Sequence, residues 1–132
     1  MAIADCALEI CGDDLDDLFA TAARALAEVM VDPATVSRDA ERRLQLEAGA
    51  LDLLFYEWLS ELIFLKDRDQ LIFPEADVSV RTVPPALTAH ARGGRIEPVT
   101  TERRADPKAV TFHRFTFEPH GTGWYARVVI DI

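Results

Sequence analysis

Three aspartates, Asp5, Asp32 and Asp131, stand apart from the other acids of the chain. Asp13, Asp14, Asp16 and Asp17 crowd the start of a predicted helix, where capping and the electropositive terminus account for them. Asp5 instead opens an alternating strand and faces away from its apolar residues. Asp32 follows the end of that first helix, the terminus of partial negative charge. Asp131 faces outward from the last predicted strand. If the strand ends and the helix end meet at one edge of the fold, the three carboxylates repel unless a divalent cation sits among them. Hard oxygen donors suit Ca²⁺, Mg²⁺ or Mn²⁺. The plain alternative stays open, since Asp32-Pro33 is a common turn and an acid near a strand end is often simply solvated.

Other chemistry is thinly represented. The sequence has no GxSxG, P-loop, GxGxxG or HExxH pattern. His90, His113 and His120 lack nearby cysteines or regularly spaced acids, so each is expected to be structural. Cys6 and Cys11 lie in one predicted strand at an odd offset, hence on opposite faces and roughly 16 Å apart. They cannot bridge each other, and both are expected to be small buried hydrophobes.

The elements that must position these residues follow from periodicity. Lys108–Ile132 reads as a hairpin: two β-branched and aromatic runs flank the Pro119-His120-Gly121-Thr122-Gly123 turn. In its second run Trp124, Ala126, Val128, Ile130 and Ile132 share one face and must meet the core. In the first run the apolar side chains switch from Val110 and Phe112 to Phe115 and Phe117. This predicts a bulge near His113–Arg114. Residues 4–11 alternate as a strand, and residues 15–31 carry Leu15, Leu18, Phe19, Ala22, Leu26 and Met30 at helical spacing. A strand over 38–48 and a second, more buried helix over 51–66 come next. Leu71-Ile72-Phe73 and, beyond Pro74, a strand through Val78 and Val80 follow, with a short strand near 87–91. Gly93-Gly94 and Pro98 read as loop. The order β-α-β-α-β-β-β-β predicts a single α+β domain over 1–132. It is a two-layer sandwich with two helices packed on one face of a mostly antiparallel sheet.

Bulk properties narrow the partners. With 23 acidic against 14 basic residues the net charge is −9, which opposes direct nucleic-acid binding and favours cations or a basic protein surface. Arg92, Arg95, Arg103, Arg104 and Lys108 do gather late in the chain, as solvated loops commonly do. No apolar run is long enough for a membrane span, so no membrane association and a cytoplasmic location are expected.

Several segments, in order, resemble the archease family over nearly the whole chain. They are Ala2-Ile3-Ala4-Asp5 at the family's first motif, Gly12 with Leu15, Leu18 and Phe19, and Met30-Val31-Asp32. The series continues with the Leu51–Leu62 helix, the intact Lys108–His113 segment and the Trp124–Asp131 ending. The resemblance implies a protein cofactor rather than an enzyme. Such a protein activates an RtcB-type RNA ligase, promoting its guanylylation and multiple turnover in tRNA splicing or RNA repair. It also implies a bound divalent metal, Ca²⁺ foremost with Mg²⁺ or Mn²⁺ as alternatives, held by Asp5, Asp32 and Asp131. Lys108 and His113 would contact the partner or support the site. Ala2 and Ile3 replace the family's His and Thr, which implies metal binding or ligase stimulation that is reduced or lost. A general chaperone or binding module without a metal is the competing reading, and a small hydrolase centred on His113 a weaker third.

Overall fold

The computed structural model describes residues 5–132, so Ala2 and Ile3 of the first motif lie outside the described residues. Strand β1, Asp5–Gly12, turns Cys6, Leu8 and Ile10 to the core and leaves Asp5, Ala7 and Glu9 exposed. Helix α1, Leu15–Met30, begins with reciprocal caps. Asp14 accepts from the Asp17 N–H at 2.8 Å, and the Asp17 carboxylate accepts from the Asp13 N–H at 2.8 Å. Its stripe of Leu18, Phe19, Ala22, Leu26 and Met30 is buried. One 3₁₀ turn, Pro33–Thr35, follows.

Strand β2 is Ala40–Glu47 and helix α2 is Leu51–Asp69, three residues longer than its apolar run predicts. Gln70 ends that helix in the left-handed conformation, its N–H donating to the carbonyls of Leu65 and Lys66. Four strands complete the chain: β3, Leu71–Thr82; β4, Pro85–Arg95; β5, Ala109–His120; and β6, Gly123–Asp131.

The predicted order of elements and the α+β class hold, and every strand pairing is antiparallel. The strands divide into two three-stranded sheets, β1-β6-β5 and β2-β4-β3. The helices tie the two together: α1 packs on β3 and β1, and α2 on β3, β4 and β5. The indole N–H of Trp58 donates to the Phe19 carbonyl at 2.8 Å, fastening α2 to α1 inside the core. Phe19 and Phe55 meet edge to face at 5.1 Å, and Phe117 packs on both Phe55 and Trp124.

Two local expectations are corrected. Gly93 and Gly94 are not loop residues but the end of β4. A Cβ on Gly93 would fall within the Ile72 carbonyl, because β3 shifts register between Ile72 and Glu75 and presses its backbone onto this strand. These glycines serve close approach rather than a turn. Nor is Cys11 buried: it lies on the solvent face of β1, while Cys6 is half-buried against the core, and both thiols are free. The bulge forecast in β5 is present. Between Thr111 and Thr116 the register shifts, and Arg114 adopts φ +51°.

Candidate acidic site at the ends of β1 and β6

The β1–β6 ladder sets Asp5 directly opposite Asp131, and β5 brings Ala109 to the other side of Asp131. Directly opposed residues share a face with Cβ atoms about 4.5–5.5 Å apart, so the two carboxylates project together. Among the described residues no Lys, Arg or His forms a salt bridge with either one. The Asp131 carbonyl accepts the Lys108 N–H at 2.7 Å, which fixes the entry of β5 beside the pair. Further along the same face come the rows Ala7–Val129–Thr111 and Glu9–Arg127–Thr116.

Asp32 is placed differently. It caps the 3₁₀ turn, one carboxylate oxygen accepting the Ala34 N–H at 3.0 Å, and its own N–H donates to the Glu102 carbonyl at 2.9 Å. Thr35 hydroxyl donates to the Asp32 carbonyl at 2.7 Å and accepts the Glu102 N–H at 2.9 Å. Val31 pairs with Arg103 in an isolated bridge. Asp32 therefore meets the start of an extended strap, residues 102–108, whose other end meets Asp131.

Among the described residues no group of three or more His, Cys, Asp or Glu side chains is arranged to hold a metal ion. A hard dication takes six or more oxygens. The described residues thus offer an open carboxylate pair, with Asp32 held in its own turn, and not a closed set of ligands.

Lys108 and His113 lie at the entry and the bulge of β5, and both are exposed. The His113 N–H donates to the Thr111 hydroxyl at 3.3 Å, and no bond joins its side chain to the acids among the described residues. Phe112 beside it is 56% exposed and stacks on Tyr56 with ring centroids 4.3 Å apart. His90 pairs with Glu41 at 3.3 Å on the other sheet, and His120 packs against Tyr125.

One group near the strap escaped sequence reasoning. Lys66 is only 3% exposed; its ammonium donates to Asp106 Oδ1 and, at 2.6 Å, to the Pro107 carbonyl, and it pairs with the Asp67 carboxylate at 2.7 Å. The Lys66 hydrogen bond holds the Asp106 carboxyl below the ordinary carboxylate range against the opposing effect of burial, with help from Lys66, Arg103 and Lys108 charges. A lysine inside the apolar run of α2 was the available signal, but beyond the adjacent Asp67 its partners Asp106 and Pro107 lie forty and forty-one positions away.

The sequence matches the Archease protein family over residues 2–132. It is 32% identical over 130 residues to protein archease of Archaeoglobus fulgidus, covering 98% of this chain and 93% of that one. It is 35% identical over 123 residues to protein archease of Methanothermobacter thermautotrophicus, covering 92% and 87%. The solution structure of Methanobacterium thermoautotrophicum protein 1598 superposes with a TM-score of 0.79 at 32% identity, covering 100% of this chain and 95% of that one. The crystal structure of a Thermotoga maritima archease, described as a possible chaperone, shares the fold with a TM-score of 0.67 at 21% identity, covering 99% and 93%. With matched motifs, shared fold and full-length similarity all in agreement, the chain belongs to the Archease protein family.

Proposed function

We propose that this protein is a protein cofactor that docks through its acidic tip on an RtcB-type RNA ligase. There it promotes guanylylation of the ligase and repeated turnover in tRNA splicing or RNA repair. Family membership supports a protein partner, and the observation that carries the reading is the register setting Asp5 opposite Asp131. Two carboxylates on one face, without a basic partner among the described residues and in a chain of net charge −9, form an electrostatic complement to a basic nucleotide-binding surface. Lys108 and His113, exposed on the neighbouring strand, would add partner contacts. A divalent cation, Ca²⁺ foremost with Mg²⁺ or Mn²⁺ as alternatives, is the counter-charge this pair would attract. One Asp32 carboxylate oxygen is engaged in its own turn, and docking is not made to depend on the ion.

The test is to mix the protein with its host's RNA ligase and GTP and follow guanylylated ligase over several turnovers. Faster accumulation with wild type than with Asp131→Ala supports the reading, and equal rates with and without the protein remove it. Titration calorimetry with Ca²⁺ and Mn²⁺ asks separately about the ion.

A second reading, a general protein-binding module, is favoured by the Phe112–Tyr56 ledge, whose exposed aromatic surface suits apolar docking. It expects loss of partner binding in Phe112→Ala and none in Asp131→Ala.

A further inference from the structure

We propose that Lys66 is a positioning residue for the acidic tip: from the core side of α2 it clamps the middle of the 102–108 strap that joins the backbones of Asp32 and Asp131. The functional half of this inference rests on the ligase-cofactor reading, while the structural half stands alone.

The strap has little regular secondary structure, yet its backbone is tied down at several points. At one end Glu102 accepts the Asp32 N–H. Next, the N–H groups of Arg104 and Ala105 donate to the carbonyls of Met30 at 2.8 Å and Val29 at 3.1 Å, and the Arg104 guanidinium donates to the Glu28 carbonyl at 2.9 Å. These are last-turn carbonyls of α1 that the helix itself cannot satisfy, and α1 has no basic residue in its last turn. The strap is therefore the C-terminal cap of α1. At the far end Lys108 donates to Asp131.

Between these ends sits Lys66. Its ammonium donates to Asp106 Oδ1 and the Pro107 carbonyl and forms an ion pair with the Asp67 carboxylate. A buried charge so placed is costly to leave unpaired, so it resists release of Asp106 and Pro107. Pro107 is one residue from the Lys108–Asp131 bond. Loss of the clamp frees the segment immediately before that bond and loosens the cap over α1. The relative placement of Asp32 and Asp131 is thereby set by a lysine that touches neither.

Amide hydrogen exchange tests this in the full chain. In Lys66→Met the amides of Asp32, Arg104, Ala105 and Lys108 are expected to lose protection by about tenfold or more, while those of Ala89 and Val128 in the central strands keep theirs. Asp106→Asn, altered at a carboxyl more than half exposed, folds where Lys66→Met fails to, and is expected to show the same pattern more weakly. Leu87→Ala, at a buried position of β4 that pairs with Leu46 and Val80, serves as a control that lowers stability away from the strap. Unchanged strap amides in both variants overturn the clamp, as does the same pattern in Leu87→Ala. In the ligase assay both clamp variants are expected to stimulate less than wild type. Full stimulation with an opened strap overturns the positioning role. If wild type itself does not stimulate, the ligase reading fails while the exchange data still decide the clamp.

Discussion

Asp5 and Asp131 are cross-strand neighbours whose carboxylates leave the sheet from the same face, with no basic partner among the described residues. Like charges directly opposed destabilise a ladder, and salt screens them. In chelator at low ionic strength, Asp5→Asn is expected to melt about 1–4 °C higher than wild type. That gain should shrink as salt is added. A lower melting temperature for the variant would mean that the pair is already compensated.

The clamp has an acid limit. Lys66 chiefly depresses the folded-state pKa of Asp106. Its contribution is then complete above the unfolded carboxylate value of about 4 and is lost as pH falls through the lower folded value. Thermal melts of wild type and Asp106→Asn should differ at pH 6 and begin to converge only as pH falls below about 4. A constant difference down to pH 2 would assign the effect of the substitution to something other than charge.

Trp58 is fully buried and its indole N–H reaches the Phe19 carbonyl of the facing helix. Trp58→Phe removes that donor and leaves unfilled volume, a loss of about 1–3 kcal/mol. The urea midpoint should fall with no change in the slope of the transition.

Gly93 and Gly49 separate two uses of the same residue. A Cβ at Gly93 collides with the Ile72 carbonyl, whereas nothing lies within 4 Å of one at Gly49. Gly93→Ala should cost more than about 3 kcal/mol, since backbone must move. Gly49→Ala should be neutral or stabilising by up to about 1 kcal/mol through the unfolded chain. Equal melting temperatures for the two variants would contradict the packing described for β3 and β4.

The amino-acid sequence by itself determined what depends on nearest neighbours along the chain. Leu18, Phe19, Ala22, Leu26 and Met30 recur at the helical period, so α1 was legible to within one residue of its end. The shift of apolar positions between Phe112 and Phe115 announced the β5 bulge, because side chains alternate strictly along a strand. Tertiary structure alone decided the distant pairings, β1 with β6 and β2 with β4, and so the division into two sheets. Gly93 looked like a turn because the approach of the Ile72 backbone leaves no trace in the flanking residues. The acids divide in the same way. Their positions at strand and helix ends could be read, but the ladder brought Asp5 and Asp131 together, and the 3₁₀ turn kept Asp32 to itself. Lys66 shows the limit most clearly, since a helix-compatible lysine gives no hint of a carboxylate forty residues away. Local periodicity acts within a few bonds, whereas pairing, close approach and burial of charge are settled only when distant segments compete for the same space.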